Sequence, residues 1–171
     1  MLGGMANWGP LLRQVVEAGL KLLTPRSSAG GGRGQVRSAP TGERARTVVY
    51  APDLDGAADP GEVVWAWVAY DEDDGRGKDR PVLVIGRRGG DLLGLMLSSQ
   101  DHDRDAADEA RYGRYWTDIG TGPWDSRGRP SEVRLDRLLE FDPSSVRRIG
   151  AALDRERFNR VIVEARRVQG W

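Results

Sequence analysis

The chain has 171 residues, of which 39% are apolar, and it contains no cysteine. This length and apolar content allow one ordinary domain with an appendage, and the lack of thiols excludes disulfides, thiolate nucleophiles and zinc sites built on sulfur. The formal net charge is zero at pH 7, unlike the basic charge that is typical of duplex-DNA binders. Any contact with nucleic acid is therefore expected to be local.

Residues 1–25 predict an N-terminal amphipathic helix. Apolar residues from Trp8 to Leu23 recur at helical spacing, and Pro25 disfavours continuation. No stretch approaches the ~20 apolar residues of a membrane span, and the N-terminus lacks a secretory pattern, so a cytoplasmic location is expected. The helix is expected to dock on the domain or bind a partner, and a membrane surface is the third possibility.

Residues 26–55 predict a flexible linker. They begin with a run of Gly, Ser and Arg at 26–34 and continue with more Arg, Ser, Pro and Thr. Such a composition buries too little apolar surface to offset the entropy of ordering. A folded domain is therefore expected over residues 56–171.

The first half of this domain has the pattern of β-strands. Residues 63–70 are apolar on both faces, which predicts a strand covered on both sides. A polar loop is expected over 71–80. Residues 82–85 and 92–97 flank a turn at 87–90, and they predict a pair of antiparallel strands that extends the sheet.

The second half predicts shorter strands and a closing helix. The strand candidates are 115–119, 132–135 and 147–153, and the charged segment 101–113 predicts a surface loop or a frayed helix. Asp154 is placed to cap a C-terminal amphipathic helix. Its expected apolar face consists of Phe158, Val161, Ile162, Ala165 and Val168. The predicted fold class is mainly β, with this helix packed on the sheet.

The order of several segments resembles the MazF/PemK family of toxin ribonucleases. These segments are a strand, a polar loop, GKDRPVLVI at 77–85, a turn and LMLSSQ at 95–100. The likeness covers residues 60–171 and includes EVRLD at 132–136 and the terminal helix. It implies a small SH3-like β-barrel of the MazF/PemK/CcdB type. It also implies a homodimer, a single-stranded RNA substrate and a cognate antitoxin partner, without a cofactor.

The resemblance carries specific site residues. In the family, the Arg of an Arg-Pro motif and a Thr or Ser at the end of the third strand face the scissile phosphate. These positions correspond to Arg80 and Ser98, although Ser99 is an alternative for the hydroxyl. One branch of the family uses an Arg-x-Asp pair as acid and base, which corresponds to Arg134 and Asp136 here.

Lys78, Ser99 and Gln100 complete the candidate site as RNA-binding residues, and no metal ligand is expected. RNA supplies its own nucleophile, because the 2′-hydroxyl lies next to the phosphodiester. An Arg suits the growing phosphate charge, whereas a guanidinium with a pKa above about 12 is a slow base. Asp136, polarised by Arg134, is therefore the expected base. The expected products are a 2′,3′-cyclic phosphate or 3′-phosphate and a 5′-hydroxyl.

Plainer interpretations stand beside these. Arg134 and Asp136 project from one face of a strand and equally fit an ordinary ion pair. His102 is the one histidine, which excludes a nuclease that uses two imidazoles. The acidic segment around it resembles a divalent-metal site but lacks a calcium-loop pattern, so a solvated loop is expected. Trp116 and Trp124 fit either base stacking or packing.

Two other functions stay open at the level of the sequence. One is a non-catalytic binding module that keeps the barrel, because a fold by itself does not establish activity. The other is a gyrase-directed poison, because a related toxin group shares the barrel. The candidate catalytic residues argue against the poison, since that group does not rely on these positions.

Overall fold

The computed structural model describes residues 36–38, 47–71, 75–102 and 106–171. The helix predicted over residues 1–25 lies outside the described residues. In the described part, the strands are β1 (Arg37–Ser38), β2 (Thr47–Val48), β3 (Glu62–Ala69), β4 (Gly77–Arg88), β5 (Asp91–Ser98), β6 (Trp116–Gly120), β7 (Ser131–Phe141) and β8 (Val146–Ala152). The α-helices are α1 (Ala106–Arg111) and α2 (Arg155–Gln169), and a 3-10 turn covers Pro143–Ser145.

The strands form one antiparallel sheet in the order β1-β7-β5-β4-β3-β8. As predicted, β3, β4 and β5 are consecutive neighbours, with Trp65 opposite Pro81 and Val82 opposite Met96. The segment at β1 closes the sheet on itself, because Arg37 pairs with Glu140 of β7 while the adjacent Val36 forms a bridge to Val68 of β3. The fold is therefore a small, mainly β barrel, in agreement with the prediction.

Both faces of the central strands are buried. On one face, Leu83, Leu95 and Val133 pack with the apolar side of α2. On the other, Val64, Val82, Val84, Met96, Leu139 and Phe141 form a second cluster with Val36. This arrangement explains why β3 is apolar on both sides, since its alternate residues enter different cores.

Helix α2 confirms the prediction made from its cap and its periodicity. The Asp154 side chain accepts a hydrogen bond from the Arg157 amide at 2.9 Å, and Gly170 ends the helix in the left-handed region at φ 73°. Its buried residues are Phe158, Val161, Ile162 and Ala165, and Val168 packs against them while partly buried. Among the described helices, none is long and apolar enough to cross a membrane.

Part of the predicted linker packs on the domain, which corrects the prediction for the described residues of 26–55. Val36 is 1% exposed. Thr47 lies against β4 at Gly86, where an added Cβ would stand 1.9 Å from the Thr47 carbonyl oxygen, so glycine allows this close approach. The Tyr50 hydroxyl donates to the Leu153 carbonyl at 2.8 Å. The remaining residues of the segment lie outside the described ranges.

Several strands are longer than their apolar runs. β4 begins at Gly77, inside the predicted polar loop 71–80, because Ala69 of β3 pairs with Gly77. β7 extends to Phe141 rather than ending near residue 135, since β5 pairs with it as far as Leu92 opposite Phe141. Within the charged segment 101–113, α1 is a short helix. Cross-strand pairing thus extends strands through polar residues that carry no apolar signal.

The first residue of β3 is a buried acid, and it generates a prediction on pH. Glu62 is fully buried: its Oε2 accepts a hydrogen bond from the Asp59 amide at 3.1 Å, while its Oε1 has no hydrogen-bond partner in the described structure. Burial raises the pKa of Glu62 above its usual value and outweighs the opposing effect of the Asp59 amide. Because a raised pKa favours the protonated folded state, this acid costs stability as the pH rises.

We expect Glu62→Gln to increase the free energy of unfolding at pH 8, because it removes the ionisation penalty. The advantage should shrink as the pH falls towards 4, where Glu62 becomes mostly protonated in both states. Urea unfolding at both pH values measures this difference. Glu156→Gln is the control, since Glu156 is exposed in the first turn of α2 and its charge favours the helix. An equal effect of Glu62→Gln at both pH values would contradict the prediction.

Candidate active site

Two adjoining clefts lie next to the second cluster of buried residues, where its strands continue into polar side chains. The first, of about 290 Å³, has Arg134 of β7 in its wall and is named the Arg134 cleft; the second, of about 470 Å³, is named the Lys78 cleft. Arg80, Ser98 and Gln100 line both clefts and therefore mark the boundary between them. Together the two linings contain seven cationic side chains and four carboxylates. The neutral chain thus has a local positive excess at this place.

Strand register brings Arg80 and Ser98 together. Val82 of β4 is opposite Met96 of β5. Arg80, two residues before Val82, and Ser98, two residues after Met96, are on the face of this pair, and both line the two clefts. Ser98 is in turn opposite Glu132 of β7. Because alternate residues share a face, Arg134 and Asp136 follow Glu132 on that side. The apolar face of Val82 and Met96 therefore continues directly into the candidate site.

Arg134 is held by two carboxylates. Its Nη1 donates to Asp71 Oδ2 at 2.8 Å, and its Nη2 donates to Asp136 Oδ2 at 2.8 Å. Burial lowers the pKa of Arg134, but the hydrogen bonds and charges of Asp136 and Asp71 outweigh burial and raise it. Asp136 Oδ1 also accepts from the Tyr115 amide at 2.9 Å. Arg134 lines the cleft, whereas Asp136 lies behind it and is not part of the lining.

Asp71 connects this pair to a second cation. Arg137 Nη1 lies 2.9 Å from Asp71 Oδ1, and Arg114 Nε lies 3.7 Å from Oδ2. Burial acts to raise the pKa of Asp71, yet the hydrogen bond from Arg134 and the neighbouring guanidinium charges bring it below its usual value. Asp71 is thus ionised at neutral pH and holds the wall of the cleft in place.

Arg80 differs from Arg134, because it makes no hydrogen bond or ion pair to another residue that the structure describes. Its side chain is partly buried. Burial lowers the pKa of Arg80 and, together with the charges of Arg134 and Arg137, outweighs the opposing effects of Tyr70 and Asp71. A guanidinium that has lost part of its water and forms no ion pair with a described residue is a favourable partner for an anion.

The two serines after β5 are not equivalent. Ser98 is 8% exposed, lines both clefts and accepts a hydrogen bond from the Gln100 amide at 3.1 Å through its Oγ. Its hydroxyl hydrogen remains available for donation to a ligand. Ser99 lines only the Lys78 cleft, together with Lys78 itself. The geometry therefore separates the two hydroxyls, which the sequence left as alternatives.

The position of His102 differs from the one that the sequence predicts. This residue does not lie in a solvated acidic loop: its ring lines the Arg134 cleft, its Nδ1 lies 2.6 Å from Glu132 Oε2, and it stacks on Trp116 at a centroid distance of 3.8 Å. The one sequence feature that could have indicated this contact is Glu132, a carboxylate two residues before Arg134 on the same face of β7. The contact spans 30 positions of the chain, so no local pattern reveals it.

The aromatic and acidic candidates have definite environments. Trp124 is 3% exposed, belongs to the core that α2 covers, and donates from Nε1 to Ser131 Oγ at 3.1 Å. Trp116 donates from Nε1 to Glu109 Oε2 at 3.2 Å, and one face of its ring stacks on the His102 ring. In the described residues, no group of three or more acidic or histidine side chains is arranged to hold a metal ion.

The Arg134 pairs generate a prediction on stability. We expect Arg134→Ala to lower the free energy of unfolding by about 3 kcal/mol, because it leaves the carboxylates of Asp71 and Asp136 without their shared cation. Arg147→Ala is the control, since Arg147 pairs with Asp79 at 3.1 Å on the exposed surface and should cost at most about 1 kcal/mol. Urea unfolding measures both. Equal effects of the two substitutions would contradict the prediction.

Comparisons with known proteins identify the family of this chain. A comparison with curated protein sequences finds no match. Among solved structures, the chain is similar to a chain in the crystal structure of MazE-MazF (Form-II) from Deinococcus radiodurans, with 17% identity, 68% of this chain and 98% of that chain covered, and a TM-score of 0.47. Residues 59–168 match the family model of the PemK-like, MazF-like toxin of type II toxin-antitoxin systems. Because this match spans more than half of the sequence, the chain belongs to the PemK-like, MazF-like toxin family.

Proposed function

We propose that this toxin is a metal-independent endoribonuclease that cleaves single-stranded RNA by attack of the 2′-hydroxyl on the adjacent phosphate. The observation that carries the proposal is that Arg80, which has no ion pair among the described residues, and Ser98 both line two positively charged clefts at their boundary. In this reaction the 2′-oxygen bonds to phosphorus and the bond to the 5′-oxygen breaks. The products are a 2′,3′-cyclic phosphate, or a 3′-phosphate after hydrolysis, and a 5′-hydroxyl.

Arg80 binds the phosphate in this proposal. Negative charge builds on the non-bridging oxygens as the pentavalent transition state forms, and a planar guanidinium grips two of them at once. The lack of a counterion in the described structure supports this role, because no ion pair has to break before the phosphate binds. The Ser98 hydroxyl donates a further hydrogen bond to the same phosphate.

Arg134 contributes positive potential and is a positioning residue for the cleft. Its two carboxylate partners hold it in a fixed orientation, so it stabilises charge without having to reorganise. Asp136 as the base stays a prediction. That role requires an oxygen released from Arg134 or from the Tyr115 amide, because both Asp136 oxygens accept hydrogen bonds.

The Lys78 cleft extends the binding surface for RNA beyond the scissile phosphate. Its cationic side chains are Lys78, Arg80, Arg127 and Arg129, and Ser99 and Gln100 add polar groups. Phosphate contacts of this kind position a strand without reading its bases. A cognate antitoxin, a homodimer and a cytoplasmic location complete the proposal, and they are supported by membership of a toxin-antitoxin family.

Arg80→Ala tests the central role. We expect cleavage of a mixed-sequence single-stranded RNA in the presence of a chelator to fall by at least about 100-fold, because the main phosphate ligand is lost. Arg80→Lys should retain part of the rate, since it keeps the charge and loses the two-pronged grip. Mapping of the RNA ends identifies the products.

Arg111→Ala is the matched control, because it removes an exposed guanidinium that, like its ion-pair partner Asp108, lines neither cleft. It should cleave like the wild-type protein. Cleavage by Arg80→Ala at the rate of this control would remove the proposed mechanism. A wild-type protein that binds RNA but never cleaves it would instead favour a non-catalytic module.

The two serines give a second test. Ser98→Ala should lower cleavage by about 100-fold if its hydroxyl hydrogen-bonds the transition state, whereas Ser99→Ala should change the rate only a few-fold by weakening RNA binding. The pair differs by one position and by which clefts it lines. Single-turnover cleavage measures both variants. Equal losses, or a larger loss for Ser99→Ala, would contradict the assignment.

A further inference from the structure

Three contacts hold His102 in place. Its Nδ1 lies 2.6 Å from Glu132 Oε2, its backbone amide donates to the same oxygen at 3.2 Å, and its ring is stacked on Trp116 at an interplanar angle of 3°. Glu132 is itself 7% exposed and lies opposite Ser98 in the sheet. The ring therefore has a fixed place in the Arg134 cleft, which Ser98 also lines.

The carboxylate of Glu132 determines which ring nitrogen is free. A carboxylate accepts a hydrogen bond, so Nδ1 carries a proton, and in the neutral imidazole Nε2 then has the lone pair. Nε2 makes no hydrogen bond to any residue that the structure describes. Because the ring lines the Arg134 cleft, this lone pair is available to a group bound there.

The other proton acceptors in the Arg134 cleft are occupied. Asp71 is held by Arg134 and Arg137, and Glu109 accepts from Trp116 and lies 3.5 Å from Arg114. A carboxylate that is paired with guanidinium groups loses those contacts when it takes up a proton. An imidazole with a free nitrogen takes up a proton without breaking a bond, which is the arrangement of a general base.

We propose that His102, oriented by Glu132, is the catalytic base that accepts the proton of the RNA 2′-hydroxyl in this cleft. This inference rests on the proposed ribonuclease function. The 2′-oxygen bonds to phosphorus as its proton moves to Nε2, the bond from phosphorus to the 5′-oxygen breaks, and water supplies a proton to that oxygen. The imidazolium then returns its proton to solvent. Glu132 is a positioning residue, and its negative charge stabilises the imidazolium.

This assignment gives Asp136 a different task from the one that the resemblance implied. Asp136 holds Arg134, whose other nitrogen holds Asp71. Glu132 and Asp136, on the same face of β7, then support two different groups of the cleft, the base and the cation. Both act through a neighbour and not on the RNA.

Imidazole rescue of His102→Ala tests the proposal in the full-length protein. We expect single-turnover cleavage of mixed-sequence RNA in chelator to fall by at least about 100-fold, and added imidazole to restore part of it, because the lost ring leaves a space between Trp116 and Glu132. Binding of a 2′-O-methyl RNA of the same sequence should change at most a few-fold. His102→Gln, which fills more of the space, is the second variant if His102→Ala fails to fold.

Arg80→Ala is the control for the rescue, since imidazole cannot replace a phosphate ligand and should leave this variant inactive. Glu132→Gln should slow cleavage in the wild-type background but not in His102→Ala, because Glu132 acts through the ring. A general structural effect of Glu132→Gln would lower both rates and would overturn its positioning role.

The outcomes separate this inference from the proposed function. A wild-type protein that does not cleave RNA would remove both. Cleavage that depends on Arg80 but persists at the wild-type rate in His102→Ala or His102→Gln would remove only the base. A folded, inactive His102→Ala that imidazole fails to restore would do the same.

Discussion

The register between β4 and β5 is the constraint on which the site depends. Val82 and Met96 are paired within the second core face, so their burial sets the register. A slip by one residue would turn every side chain of the strand to the opposite face and would expose one core. The same register puts Arg80, two residues before Val82, and Ser98, two residues after Met96, on one face of the sheet. The burial of apolar side chains in the core thus also determines where the polar groups of the site lie.

The two arginines show how one residue type performs two tasks in the same cleft. Arg134 has its charge balanced by Asp71 and Asp136, so it is part of the folded structure. Arg80 has no such partner in the described residues, and its pKa is lowered by burial. The difference follows from the neighbours that the sheet provides: β7 brings Asp136 to Arg134, while β5 brings a hydroxyl to Arg80. Because Arg80 forms no ion pair with a described residue in the folded protein, its charge is available to bind an anion.

Much of this architecture could be predicted from the sequence, because its signals are local. The apolar runs gave the central strands, and the cap at Asp154 with its periodic face gave α2. Strand β2 could not be predicted from local signals. It packs on β4 because Gly86 has no side chain to block its close approach, and Gly86 lies almost forty positions further along the sequence. The same contrast between local signals and long-range contacts applies to the candidate site. The motif residues Arg80 and Ser98 were identified, whereas the partners of His102 depend on a contact between an irregular segment and β7.

The position of Arg80 and Ser98 on the boundary of two clefts has a consequence for how RNA would lie in the proposed reaction. A scissile phosphate bound by both residues has one cleft on each side, so the nucleotides that flank it enter different environments. The Arg134 cleft contains the imidazole and the fixed charge pairs, and therefore suits the nucleotide that carries the reacting 2′-hydroxyl. The Lys78 cleft contains four cationic side chains, which suits the strand that continues from the leaving 5′-oxygen. Strand polarity in the proposed reaction therefore follows from which cleft holds the base.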